Sequence, residues 1–355
     1  MTVPVPDSNS IRVRPYRAGD ESELVALFQR AFGQPSTDAH WRWKLRWPEC
    51  PVDNVWVAQS EERSVFQYAG IPTRFSLNHR PATVMVSVDT MTAPEFRRRG
   101  LLTRVASQAY AQWREAGIAF VMGLPNEQWG SRADALGWQT LFPLQWMIRP
   151  LRPEAMLARR LRAPILDRAR IPAALWNRFW QARVREDPSV HLERVCEADE
   201  AFDELWSTVE PGWALSTVRD RRWVEWRFLK SPTRTYSVTL ARRRGRPVGY
   251  IAHALSGTEE RPSAHLAELQ TAPADTATRD TLMGALLRSL CASRVQAVSC
   301  LAIPGTPNFQ WLRRCGFFPR QSFLIRAVPL REDLPWDLMR NPSHWNLSGA
   351  DFDVI

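Results

Sequence analysis

The 355-residue sequence predicts a mixed α+β fold in two domains, each a mostly antiparallel sheet flanked by helices. Three observations predict it. The chain is too long for one ordinary core, strand-type and helix-type patterns alternate along it, and the order of these patterns begins again near residue 191. We therefore expect two related units, each of ordinary domain size.

The first half reads as strand, two helices, three strands, helix, strand, helix and strand. Alternating apolar and polar residues indicate the strands, and apolar residues at helical spacing indicate the helices. Glycine, proline and asparagine separate the three consecutive strands, as in antiparallel neighbours joined by turns. The predicted strands lie at 11–16, 55–58, 64–76, 83–91, 118–122 and 139–149, and the predicted helices at 22–32, 38–45, 101–116 and 128–136.

The second half repeats both the order of elements and several short motifs, which indicates an internal repeat. The distance from Pro94 to Gly137 equals that from Pro273 to Gly316, 43 residues in each case. The matching motifs are Thr92-Ala-Pro94 with Thr271-Ala-Pro273, Leu136-Gly-Trp138 with Cys315-Gly-Phe317, and the tryptophan pairs Trp41/Trp43 and Trp223/Trp226, each of which precedes a strand.

The repeat sets the expected domain boundaries. We expect an N-terminal domain at 1–150, a helical, arginine-rich connector at 151–190, a C-terminal domain at 191–330 and a tail at 331–355. The tail carries Trp336, Trp345 and Phe352, which would be exposed on a free segment. This predicts that the tail docks onto a domain.

Composition excludes several classes of protein. Apolar residues make up 45% of the chain and charged residues 24%, close to globular averages, so disorder and fibrous folds are not indicated. No apolar run is long enough for a membrane span, and the N-terminus lacks an apolar signal core, so we expect a cytoplasmic protein. The five cysteines form no C-x-x-C pair, which argues against a disulfide framework or a zinc site.

The net charge of +10 would attract any polyanion. Because Lys44 and Lys230 are the only lysines, nearly all the basic charge is arginine, and a coding bias explains it as well as a nucleic-acid surface does. We therefore expect no nucleic-acid partner, with tRNA kept as the alternative. Oligomeric state is left open.

The segment from Ser87 to Arg104 carries the most chemistry. A predicted strand leads into an arginine-rich turn, Arg97-Arg-Arg-Gly100, and then into the start of a helix. Main-chain amides freed at a helix start form an anion site, and glycine allows close approach of a phosphate. Neighbouring arginines would add charge-assisted hydrogen bonds.

This segment resembles the pyrophosphate loop of the GNAT superfamily of N-acetyltransferases, Q/R-x-x-G-x-G/A. The match is Arg97-x-x-Gly100-x-Leu102, with Leu102 in place of the small residue. The resemblance implies a centrally splayed sheet in each domain and acetyl-CoA or another acyl-CoA as donor, without a metal. The cofactor contacts that it implies are Met91 through its main-chain amide, Arg97, Arg98, Arg99, Gly100, Leu101, Leu102 and, after the fifth strand, Asn126.

Direct acyl transfer needs a base for the amine and a proton for the leaving thiolate. Asp89 is the best candidate base because it lies on the fourth strand, and Ser87 and Glu95 are the further candidates. The tyrosine that many GNAT enzymes use as the acid is absent, since Ala133 stands at its position. The expected acceptor is an amine of a small molecule or sugar.

The second copy lacks the loop. With Pro273 aligned on Pro94, residues 276–281 replace the arginine-glycine turn, and Arg279 stands where the glycine was. We therefore expect one acyl-CoA per chain. Two other functions stay open: an aminoacyl-tRNA-dependent transferase on a related double fold, and a non-catalytic binding protein that keeps the fold.

Overall fold

The computed structural model describes residues 11–46, 52–125, 129, 131–155, 161 and 170–352. Strands and helices follow one another as the sequence predicts, and the fold is mixed α+β. None of the helices in these ranges has the length and apolar character required to cross a membrane.

The predicted elements of the first half are present, with ends that differ by a few residues. In chain order they are β1 (Arg12–Pro15), α1 (Glu21–Phe32), α2 (Asp38–Leu45), β2 (Val55–Ser60), β3 (Arg63–Leu77), β4 (Arg80–Thr92), α3 (Leu101–Glu115), β5 (Phe120–Gly123), α4 (Ser131–Ala135) and β6 (Gln139–Pro150).

The second half follows the same order, with one short strand added. Its elements are α5 (Arg170–Gln181), β7 (Val190–Val195), α6 (Ala201–Val209), β8 (Leu215–Thr217), α7 (Arg221–Val224), β9 (Tyr236–Arg243), β10 (Arg246–Thr258), β11 (Arg261–Thr271), α8 (Thr276–Ala292), β12 (Ala297–Ala302), α9 (Pro307–Arg314), β13 (Phe318–Pro329), α10 (Trp336–Arg340) and β14 (Trp345–Asn346). Helix α7 continues as a turn of π-helix, Glu225–Leu229.

The chain forms two compact units that are not continuous in sequence. Unit 1 comprises residues 1–75, 80–141 and 324–336, and unit 2 comprises 76–79, 142–323 and 337–355. In unit 1, β5 pairs antiparallel with Arg326 to Pro329 of β13. In unit 2, β12 pairs antiparallel with Gln145 to Pro150 of β6.

The units therefore differ from the predicted continuous halves at two strands. In unit 1, β5 has β13 of the second half of the chain beside it. In unit 2, β12 has β6 of the first half beside it. The physical reason is that hydrophobic alternation predicts a strand but does not specify its neighbour.

Helix α3 packs one face into the core of unit 1. Its buried residues recur at helical spacing and include Leu101, Val105, Tyr110 and Trp113. The Trp113 indole donates to the main-chain oxygen of Asp53 at 2.9 Å. This packing holds α3 in place in unit 1.

The core of unit 2 contains a buried network of charged side chains. Arg219 lies between Glu268 and Asp351, with nitrogen–oxygen distances of 2.6 Å to each and side chains at most 1% exposed. Trp223 and Tyr250 also donate to Glu268. Arg219 and these donors lower the pKa of Glu268 against the effect of burial, whereas burial raises the pKa of Asp351.

The C-terminal tail supplies part of that network. Asp351 accepts from Arg219 and, at 2.6 Å, from the hydroxyl of Thr217. Trp345 and Phe352 are buried, at 2% and 4% exposure. The prediction that the tail docks onto a domain is confirmed for these residues.

Candidate functional site

The turn before α3 leaves several main-chain donors without a partner inside the helix. Gly100 adopts φ +73° and precedes the first helical residue, and Arg98 also has a positive φ, +64°. The first helical hydrogen bond runs from the amide of Arg104 to the oxygen of Gly100 at 3.1 Å. The amides of residues 101–103 therefore have no acceptor within the helix, and no side chain caps the helix at Gly100.

Three arginines surround this helix start. Arg97 donates to the main-chain oxygen of Ala31 at 3.2 Å, which ties the turn to the end of α1. The guanidinium of Arg99 lies 5.0 Å from the centre of the Phe96 ring, a cation–π contact. Arg98 is exposed. The positive charge therefore adds to the helix dipole at one place.

A cavity of about 480 Å³ opens beside the turn. Its lining combines the cationic turn with the end of β4 and an apolar wall. The lining residues are Ala31, Phe32, Phe66, Thr90, Met91, Thr92, Phe96, Arg97, Arg98, Arg99, Gly100, Leu101, Leu102, Trp129 and Arg132. The structure thus brings together seven of the eight predicted cofactor residues, while Asn126 lies outside the described residues.

Strand β4 extends further than β5, its parallel neighbour, beside the cavity. The two strands pair at Met85 with Val121 and at Val86 with Met122, and β5 ends one residue later, at Gly123. Strand β4 continues to Thr92. Among the described residues, its last part therefore extends beyond the end of β5, as expected of a splayed sheet.

The three predicted catalytic residues do not converge. Asp89 forms an ion pair with Lys44, 2.5 Å between Oδ2 and Nζ, with side chains 10% and 3% exposed. Ser87 contacts the hydroxyl of Tyr68. Glu95 is exposed and pairs with Arg63 at 3.5 Å. None of the three candidates lines the cavity.

A buried pair of tyrosines lies behind Ser87, and sequence reasoning missed it. The hydroxyls of Tyr68 and Tyr110 are 2.8 Å apart, and the Trp138 indole donates to Tyr110 at 3.0 Å. Burial raises the pKa of Tyr68 to about 12 and that of Tyr110 well above its ordinary value. Tyr68 is on β3 and Tyr110 on α3, so no local motif joins them.

The tyrosine pair predicts a loss of stability at alkaline pH. The folded-state pKa of Tyr68, about 12, exceeds its ordinary value of 10.0. The unfolded chain therefore releases this proton first, and the stabilisation, complete below pH 10, is lost as the pH rises toward 12, by about 1.4 kcal/mol per unit.

We expect the melting temperature of the wild type to fall more steeply between pH 10 and 12 than that of Tyr68→Phe. Phenylalanine removes the titrating group and keeps most of the packing, so the difference in slope isolates the phenol. Parallel curves for the two proteins would contradict this assignment.

Unit 2 differs at the corresponding helix start. Helix α8 begins at Thr276, three residues after Pro273, whereas α3 begins seven residues after Pro94. The Asp275 carboxylate caps α8 by accepting from the Thr278 amide at 3.1 Å, and Arg243 pairs with it at 3.0 Å. The Asp275 carboxylate therefore occupies the helix start of α8, where a bound anion would have to lie. This agrees with the absence of the loop glycine from the second copy.

Potential metal ligands do not cluster. Across the described ranges, no group of three or more histidine, cysteine, aspartate or glutamate side chains is arranged to hold an ion. The described cysteines are free: Cys196, Cys291, Cys300 and Cys315.

Comparison with known protein families finds a match in the first part of the chain. Residues 12–140 match the family described as an acetyltransferase (GNAT) domain. No curated protein matches the sequence.

Solved structures resemble most of the chain in fold. A GCN5-related N-acetyltransferase from Anabaena variabilis has a TM-score of 0.63 at 12% identity, over 90% of this chain and 73% of that one. A probable N-acyltransferase from Enterococcus faecalis gives 0.66 at 13%, over 92% and 74%. A GCN5-related N-acetyltransferase from Kribbella flavida gives 0.62 at 13%, over 91% and 72%. At these identities the likeness concerns the fold.

Proposed function

We propose that the protein is an acyl-CoA-dependent N-acyltransferase, since residues 12–140 match the family described as an acetyltransferase (GNAT) domain. The observation that carries the proposal is the cavity in which a free helix start, three arginines and the open edge of β4 meet. The simplest donor is acetyl-CoA, and the proposed acceptor is an amine of a small molecule or sugar.

The residues present fit the two ends of an acyl-CoA. The pyrophosphate is an anion, and the amides of Leu101 and Leu102 with Arg97 to Arg99 would hold it. Leu102, which replaces the small residue of the family pattern, lines the cavity. At Gly100 an added Cβ would meet no atom within 4 Å, so space is left beside this residue. The pantetheine arm would follow the edge of β4 toward Met91.

The proposed reaction is direct transfer. The amine nitrogen attacks the thioester carbonyl, a C–N bond forms, and the tetrahedral intermediate breaks its C–S bond to release the thiolate. The amine nitrogen loses one proton and the thiolate gains one, so the transfer yields an amide and a free thiol. The Met91 amide is proposed to stabilise the oxyanion, because main-chain donors fixed in a strand need no reorganisation. The phenols of Tyr68 and Tyr110 stay protonated at neutral pH.

A transfer assay tests the proposal. Purified protein is incubated with acetyl-CoA and a panel of amino acids, aminosugars and polyamines, while free thiol and acylated product are followed by mass spectrometry. We expect thiol release that depends on one class of amine and is absent from Gly100→Glu. A second arm of the assay supplies aminoacyl-tRNA as the donor. Transfer from aminoacyl-tRNA without acyl-CoA turnover would establish the rival transferase, and no transfer from either donor would favour a binding protein.

A further inference from the structure

Strand β4 contains an unusual backbone conformation at Asp89. Its φ of +45° lies in the left-handed region, which non-glycine residues rarely adopt within a strand. Such a residue persists only when its surroundings hold it. The two residues that follow it, Thr90 and Met91, line the cavity.

Buried contacts hold this conformation from both sides of the residue. The Asp89 carboxylate pairs with Lys44, and the Gln67 amide donates to the Asp89 main-chain oxygen at 3.1 Å. Gln67 is fixed in turn by the Trp41 indole, which donates to its side-chain oxygen at 3.0 Å. Trp41 and Lys44 are one turn apart on α2, so a single helix anchors the carboxylate and the carbonyl.

Unit 2 provides an internal comparison. Glu268 lies as far before Pro273 as Asp89 lies before Pro94, and Trp223, the counterpart of Trp41, donates to it. Its φ is not positive, and Arg219 and Tyr250 enclose its carboxylate. A residue with positive φ therefore occurs at this position in unit 1, which has the arginine-rich turn. The corresponding position in unit 2, which lacks that turn, has no positive φ.

We propose that Lys44 and Asp89 are positioning residues of the acyl-transfer site, which hold the turn in β4 that aims the next main-chain amides at the thioester carbonyl. The inference rests on the proposed function and assigns Asp89 a role other than base. A carboxylate that is bound to a buried lysine and does not line the cavity is poorly placed to accept a proton from an amine.

The test compares the affinities of CoA and acetyl-CoA, which differ only in the acyl group. Four variants are titrated by calorimetry beside the wild type: Lys44→Met, Asp89→Val, Asp89→Asn and the double variant Lys44→Met/Asp89→Asn. The carbonyl stretch of bound acetyl-CoA, labelled with 13C at that carbon, reports the hydrogen bond directly.

We expect wild type to prefer acetyl-CoA by about 5-fold, the worth of one hydrogen bond, with a carbonyl band at lower frequency than in water. Lys44→Met and Asp89→Val lose the preference and the shift but keep the affinity for CoA. Asparagine tolerates positive φ and its side-chain oxygen can still accept from the Lys44 ammonium, so Asp89→Asn retains both. The double variant regains what Lys44→Met loses, because the carboxylate that loses its cation in Lys44→Met is replaced by a neutral amide.

The outcomes separate this inference from the proposed function. A wild type that binds neither nucleotide contradicts both. A wild type that binds acetyl-CoA, with an unchanged preference and carbonyl band in Lys44→Met, overturns the positioning role alone. Asp89→Asn that keeps the preference but loses the acid limb of the pH–rate profile would instead identify Asp89 as the base. Circular dichroism verifies folding, and Lys44→Met decides the matter if Asp89→Val does not fold.

Discussion

Arg219→Met is expected to destabilise unit 2 by about 3–5 kcal/mol, the cost of leaving buried charge unpaired. Arg219 is the cation that faces both Glu268 and Asp351, each with no side-chain exposure. Methionine keeps an unbranched apolar stem but removes the guanidinium and with it every hydrogen bond to the two carboxylates. Urea and thermal unfolding of the full-length protein measure the loss, and hydrogen exchange localises it.

Two further variants make the Arg219 result specific. Arg242→Met removes an exposed pair with Glu193 in the same unit and should cost less than about 1 kcal/mol. Arg219→Met/Glu268→Gln should lose less than Arg219→Met alone, because one of the two carboxylates is neutralised. Equal costs for Arg219→Met and Arg242→Met would contradict a buried network.

Gly100→Glu is expected to weaken acetyl-CoA binding at least about 100-fold, or about 2.7 kcal/mol. The new carboxylate would stand at the helix start, where it accepts from the free amides and pairs with the arginines, as Asp275 does in unit 2. The phosphates would then meet a negative charge in place of a positive site.

Gly245→Glu is the matched control for Gly100→Glu. Both glycines have positive φ, +80° and +73°, and an added Cβ meets no atom within 4 Å at either site. The two variants therefore share the backbone strain and the charge change, and only one lies at the cavity. Equal affinity of the Gly100→Glu and Gly245→Glu proteins for acetyl-CoA would show that the turn is not part of the cofactor site.

The cationic turn could be predicted because all its determinants are local. A strand, three arginines, a glycine and a helix start follow one another between residues 87 and 104, and no distant residue is needed to form the free amides. The empty helix start of α3 and the capped start of α8 follow from the same kind of information. A glycine stands at one, and Asp275 caps the other.

The strand partners and the surroundings of Asp89 depend on contacts between residues far apart in sequence. The alternation in 139–149 predicts β6 correctly but carries no information that it pairs with β12. Asp89 was placed correctly on β4, yet Lys44 is 45 residues earlier and appeared in the sequence only as one of two lysines. The pair of Tyr68 with Tyr110 was missed for the same reason.

The most direct test of the central claim is calorimetric titration of the wild-type protein with acetyl-CoA. The cavity in unit 1 and the capped helix start in unit 2 predict saturable binding of one acetyl-CoA per chain. Two equivalents per chain would contradict the distinction between the units, and no binding of acetyl-CoA or longer acyl-CoA would contradict the proposed function itself.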